Sequence, residues 1–214
     1  MDRASVTVLW LVPAVRSNRA DVPPSAAELE SWAGMPESRR AQLRWSRGWV
    51  RHCLAGRLGV SPEQVPLLAP PGQAPSLAAG WGHVSFSHCC DALAIAWSDQ
   101  PIGVDLERLD RRFPAMALAQ RFFCQDDQDA LRGLVGEPLR QAVLRQWVAK
   151  EAAIKWNRSS LARDLAHWVC PAMAVEARHR TRGIRVPLRQ LESGPWCLGL
   201  VGPMAGQTAP ICLA

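Results

Sequence analysis

The amino-acid sequence predicts an α+β protein in which short strands are arranged around two long helices. Three observations carry this. Runs of four to seven residues with alternating apolar positions recur at 84–87, 92–97, 102–106 and 196–201. Two stretches, 37–57 and 138–156, read as long helices; in the first, Leu43, Val50, Leu54 and Leu58 fall on one stripe. Gly194-Pro195 and Gly202-Pro203 punctuate the strand-like runs of the C-terminal third. With 214 residues, 48% apolar and 21% charged, the chain can bury one sizeable core or two small lobes and is not disordered.

In chain order, residues 6–12 read as a strand closed by Pro13. The run is far shorter than the roughly 20 residues a membrane span needs and lacks a small-residue cleavage site, so a buried first strand is expected, in a cytoplasmic protein. Ser25-Ala26-Ala27-Glu28 has the form of a capping box opening a short helix that Gly34 and Pro36 end. The helix over 37–57 stops at Gly59 and carries Arg39 and a basic stripe of Arg40, Arg44, Arg47 and Arg51. Such a stripe can bind phosphate bidentately or simply face solvent. Residues 66–82 read as a Pro-, Gly- and Ala-rich loop. Residues 84–87 and 92–97 read as a hairpin, with Leu93, Ile95 and Trp97 on one face and alanines on the other. A short helix is expected over 115–123, where Phe122 and Phe123 read as core. Strand-like runs follow the second long helix at 168–170, 183–188, 196–201 and 211–213.

Composition narrows the function only loosely. A net charge of +6 suits a polyanionic partner, yet no lysine/arginine run or aromatic–basic pattern points to nucleic acid. The seven cysteines are irregularly spaced without a Cys-x-x-Cys, which reads as free thiols in a reducing compartment. His88-Cys89-Cys90 lacks the spacing of a zinc site.

The chemistry concentrates in one strand and one helix. In 102–107, Ile102, Val104 and Leu106 alternate with Gly103, Asp105 and Glu107, so both carboxylates share a face opposite the apolar residues. In the second helix, Trp147, Glu151 and Lys155 are four residues apart and share a face. If the two elements pack together, three carboxylates and a lysine converge, a donor set suited to Mg²⁺ and a phosphate. The same residues also fit a solvated edge strand and a surface ion pair, and spacing alone does not choose.

The order of the motifs does choose. Phe86-Ser87-His88, then Gly103-Val104-Asp105-x-Glu107, then Arg121-Phe122-Phe123, then Trp147-x-x-Lys150-Glu151-Ala152-x-x-Lys155 resembles the 4′-phosphopantetheinyl transferases of the Sfp-like, surfactin-synthetase-activating type. The resemblance runs from about residue 84 to 155. It implies an α+β fold of two pseudo-symmetric lobes, each a small, mainly antiparallel sheet packed with a long helix. The lobes are expected at 1–99, binding coenzyme A, and 100–214, holding the metal and docking the carrier protein. It implies transfer of phosphopantetheine from coenzyme A to a serine of an apo acyl or peptidyl carrier protein, with release of 3′,5′-ADP. It assigns Asp105, Glu107 and Glu151 to Mg²⁺, makes Glu151 the candidate base, and sets Lys155 and Lys150 on phosphate. Coenzyme A contacts are expected from Ser87, His88, one or more of Arg44, Arg47 and Arg51, and the Gly72–Pro75 loop. Family members carry Gly-Lys-Pro in that loop where this chain has Gly72-Gln73-Ala74-Pro75. An acidic carrier protein is expected to touch Met116 and Leu118, and the chain is expected to be a monomer binding neither nucleic acid nor membrane. The competing readings are a Mg²⁺-dependent nuclease and a non-catalytic protein that binds coenzyme A or a carrier.

Overall fold

The computed structural model describes residues 5–14 and 22–213. In chain order the elements are β1 (Thr7–Pro13), α1 (Ala26–Ser31), α2 (Glu37–Leu58), β2 (Leu67–Leu68), β3 (Ser76–Leu77), β4 (His83–His88), β5 (Ala92–Ser98), β6 (Gly103–Arg108), α3 (Ala115–Phe122), α4 (Gln125–Asp129), α5 (Gly136–Trp156), α6 (Leu161–Asp164), β7 (Trp168–Val169), β8 (Glu176–His179), β9 (Arg185–Ser193), β10 (Trp196–Val201) and β11 (Pro210–Cys212). Most of the polar link before α1 lies outside the described residues. Among the described residues no helix is long and apolar enough to cross a membrane.

Local chemistry sets the helix ends. The Ser25 hydroxyl accepts from the Glu28 N–H at 3.2 Å while the Glu28 carboxylate accepts from the Ser25 N–H at 2.9 Å, the capping box read from sequence. Such a cap is worth about 1 kcal/mol. Gly59, with φ of 70°, closes α2 by donating to the Ala55 carbonyl at 2.9 Å.

The first sheet has the order β11-β1-β5-β4, antiparallel except for the β1–β11 pair; the second, β6-β10-β9-β8-β7, is antiparallel throughout. The alternation in β5 decides how the layers stack. Leu93, Ile95 and Trp97 pack under α2 against Trp49, Val50 and Leu54. Ala92, Ala94 and Ala96 face the other way, with Leu9 and Leu11, onto Val104, Leu106, Leu198 and Leu200 of the second sheet. Small alanines opposite branched residues let the two sheets pack closely. Helix α5 covers the outer face of the second sheet through Val148, Ala149, Ala152 and Ala153. The result is helix, sheet, sheet, helix, the α+β arrangement the sequence predicts.

Two glycines let α5 lie directly on its sheet. A Cβ on Gly103 would sit 2.0 Å from the Ala152 carbonyl oxygen and 2.5 Å from the Trp156 nitrogen. A Cβ on Gly199 would meet the Val148 carbonyl oxygen at 2.8 Å. The two sheets also meet edge to edge. The Val104 N–H donates to the Ser85 hydroxyl at 3.1 Å, and the Ser87 hydroxyl donates to Asp105 at 2.6 Å, so side chains of β4 bridge to β6.

Several elements differ from the sequence reading. The loop over 66–82 holds the small β2–β3 pair, whose two-residue strands are too short to show a period. β9 runs on to Ser193, and β8 and α4 are additional, because pairing with neighbours orders polar segments with little periodicity of their own.

Candidate active site

β6 and α5 do pack together, and their polar faces meet. Asp105 is buried, and Glu107 and Glu151 are half-buried. The Lys155 ammonium donates to Asp105 Oδ1 at 2.6 Å, the oxygen that also takes the Ser87 hydroxyl. Glu107 pairs with Arg111. Burial, reinforced by the Asp105 charge and opposed by Lys155, pushes the Glu151 carboxyl up to about 8, with Glu107 adding to the rise. Burial also raises Glu107, against the pull of Arg111. Three mutually repelling carboxylates are a hard-oxygen donor set whose repulsion a divalent cation relieves, so the residues fit Mg²⁺.

They do not form a closed cage. Among the described residues only Cys89, Cys90 and Asp91 bring every potential ligand atom within 4.8 Å of the others. That trio is otherwise engaged: Asp91 accepts from the Trp196 indole at 2.9 Å and pairs with Arg108, while burial pushes the Cys89 thiol up to about 12. Lys155 pairs with Asp105 and Arg111 with Glu107, so two cations already neutralise part of the anionic face.

Glu151 and Lys155 carry this cluster to the wall of a cavity of about 760 Å³, which Asp105 and Glu107 do not themselves line. Ser87, His88, Glu151 and Lys155 line it, as do Gly72 and Pro75 of the loop. Arg47 enters from α2, held by the Ala69 carbonyl at 3.0 Å and lying 5.0 Å over the Phe86 ring. Burial lowers its pKa to about 10, which leaves it charged at neutral pH. His88 is held below the usual histidine range by burial first, then by Arg39, Arg47 and Lys155, so it offers a neutral imidazole.

The structure separates other expected site residues from this cavity. Arg44 is exposed and lies 3.7 Å from Glu37, and Arg51 is buried in a 2.9 Å ion pair with Glu28 that ties α1 to α2. Neither lines the cavity; the stripe divides because two glutamates capture its ends. Lys150 points the other way, fully buried, with Asp127 at 2.5 Å and the Leu165 and Trp168 carbonyls around it. It lies over the Phe123 ring, so it is a core ion pair and not a phosphate ligand. Met116 is exposed on α3, while Leu118 packs inward against the α3–α5 cluster.

The family model of the 4′-phosphopantetheinyl transferase superfamily matches residues 101–209 of this chain. The chain belongs to that superfamily. A relative described as 4′-phosphopantetheinyl transferase HetI, from Nostoc sp., is 32% identical over 137 residues. That match covers 60% of this chain and 56% of the relative, so the chain spans about half the length of the curated protein it matches.

Within this superfamily member, sequence reasoning missed two cavity arginines, Arg39 and Arg158, and the neighbouring His83. Arg39 precedes Arg47 by eight residues on the same helix but is hidden among the six arginines of α2. Arg158 follows α5, where no period guides a reading. Its φ is 51°, a left-handed conformation that costs a non-glycine residue about 1–2 kcal/mol. It closes the helix by donating its N–H to the Lys155 carbonyl at 3.1 Å, with Ser159 donating to Ile154 at 3.1 Å. That bond pattern usually places glycine here.

Proposed function

We propose that this chain transfers the 4′-phosphopantetheine arm of coenzyme A to a serine of an apo acyl or peptidyl carrier protein, in a Mg²⁺-dependent reaction releasing 3′,5′-ADP. The observation that carries the reading is the convergence of Asp105, Glu107, Glu151 and Lys155, the last two in the wall of a cavity also lined by Arg39 and Arg47, neither of which pairs with a carboxylate among the described residues. Its volume, about 760 Å³, is in the range of small-molecule and cofactor sites.

In this reading Asp105, Glu107 and Glu151 hold Mg²⁺, which supplies charge neutralisation to the coenzyme's diphosphate and to the departing 3′,5′-ADP. The chain's own residues do the rest. Ser87 orients Asp105 through its 2.6 Å hydrogen bond. Lys155 stays within reach of phosphate when Asp105 is engaged elsewhere. His88, neutral, donates a hydrogen bond to phosphate, and Arg47 and Arg39 bind phosphate oxygens. Glu151 accepts the proton of the carrier's serine hydroxyl; a positioned base contributes roughly 10²–10⁴-fold. The nucleophile belongs to the partner, so the chain needs no nucleophile of its own.

In this reading coenzyme A contacts lie mainly on the first sheet and α2, and the metal on β6 and α5; β11 (Pro210–Cys212) joins the first sheet, so a lobe boundary near residue 99 does not separate the two sheets. An acidic carrier suits the basic chain, with Met116 the exposed contact on α3. We place the protein in the cytoplasm as a monomer. The test is intact-mass analysis of apo acyl and peptidyl carrier proteins incubated with the chain, coenzyme A and Mg²⁺. Gain of one phosphopantetheine arm is expected, and loss of the gain with chelator, Asp105→Asn or Glu151→Gln. No gain on any carrier, with coenzyme A still bound, would make this a binding protein instead.

A further inference from the structure

We infer that Arg158 is a substrate-binding residue that holds the nucleoside end of coenzyme A against the Gly72–Pro75 loop. The inference rests on the transferase reading and adds to it a contact from the α5 side of the cavity. Arg158 stands in the left-handed position that closes α5, where glycine is the residue without strain. A strained residue kept beside a binding cavity points to a use for its side chain. Here the exposed side chain reaches the loop that also lines the cavity: Nη2 donates to the Ala74 carbonyl at 3.4 Å, joining the end of α5 to a loop 84 positions earlier in the chain.

Arg158 lines both the large cavity and a second one of about 490 Å³, the latter shared with His83, Asp99 and Trp97. It makes no ion pair with a carboxylate among the described residues, and the Ala74 contact leaves most of its five donors available. At roughly 1.5 Å of rise per residue, Arg158 lies roughly 10 Å along the α5 axis beyond Glu151. A ligand whose diphosphate meets Glu151 and Lys155 therefore reaches Arg158 with an outer end and not with its reacting phosphate, and a guanidinium suits the anionic 3′-phosphorylated nucleoside rather than the neutral pantetheine arm. The loop opposite carries Gln73 and Ala74 and no cation of its own. Arg158 supplies the positive charge there from the other side of the cavity.

Calorimetric titration of the full chain with coenzyme A in the presence of Mg²⁺ tests this with Arg158→Gly and Arg158→Lys. Arg158→Gly is expected to weaken binding about tenfold, the size of one lost charge-assisted contact, while its melting temperature is equal to or above wild type because the left-handed position is relieved. Arg158→Lys is expected to recover part of the affinity, and in turnover the loss falls more on KM than on kcat. Repeating the titration with coenzyme A lacking its 3′-phosphate identifies the group held. If the effect of Arg158→Gly vanishes, the guanidinium binds that phosphate; if it persists, it stacks on the purine. Both results support the assignment. Wild-type affinity in a stable Arg158→Gly protein overturns it while leaving the transferase reading intact. Failure of the wild type to bind coenzyme A overturns both.

Discussion

Gly103→Ala is the sharpest probe of how the fold builds the site. The added Cβ would lie 2.0 Å from the Ala152 carbonyl oxygen, whereas ordinary contact begins at 3.4 Å, so α5 must withdraw from β6 by about 1.4 Å. The obstructing atoms are backbone, and no rotamer change relieves them. Overpacking of this kind costs about 1–3 kcal/mol. For a chain of this size each kcal/mol lowers the melting temperature by about 2–4 °C. Glu151 and Lys155 ride on the same helix, so the 2.6 Å contact between Lys155 and Asp105 opens as well. A 1 Å misplacement of catalytic groups costs on the order of 10²-fold in rate. Gly199→Ala is the graded control, because its Cβ at 2.8 Å from Val148 asks α5 to move by only about 0.6 Å. Thermal unfolding and carrier-modification rates, measured on both variants, should show the larger loss for Gly103→Ala in each. If Gly103→Ala matches wild type, or Gly199→Ala is the more damaging, the close helix–strand approach does not set the site.

Three further outcomes follow from the same geometry. Lys150→Met leaves the Asp127 carboxylate buried and unpaired, so urea denaturation should show a loss of about 3–5 kcal/mol, much of it recovered in the Lys150→Met/Asp127→Asn double variant. Glu151, with an ordinary carboxyl value of 4.5 raised to about 8, makes the folded chain bind the extra proton between those values. Metal-free protein should therefore lose stability as pH rises from about 4.5 to about 8, a slope that Glu151→Gln flattens and Mg²⁺ offsets, read as melting temperature against pH. Arg47→Gln should weaken coenzyme A binding by about 10–100-fold, since a hydrogen bond to a charged group is worth about 1.5–3 kcal/mol. Arg44→Ala, lying outside the cavity, should change it less than about twofold; equal effects of the two in calorimetry would refute the sorting of the α2 arginines.

Much of this arrangement is legible in the primary structure, because it depends on local periodicity. The alternation over 102–107 alone places Asp105 and Glu107 opposite Val104 and Leu106, and the four-residue spacing of Trp147, Glu151 and Lys155 alone places them on one helix face. The hairpin of 84–97 and the Ser25–Glu28 capping box are equally local. Tertiary structure decided which of several identical side chains is used. Arg47 reaches the cavity while Arg44 and Arg51 are drawn to Glu37 and Glu28, and Lys150, one residue from Glu151, turns into the core onto Asp127. Arg158 acquires its place only because α5 ends beside a loop from the other half of the chain. Side-chain direction within a strand or helix follows from backbone geometry and is written in spacing. The partner a charge finds depends on contacts between residues distant in sequence, and only the packed fold determines those.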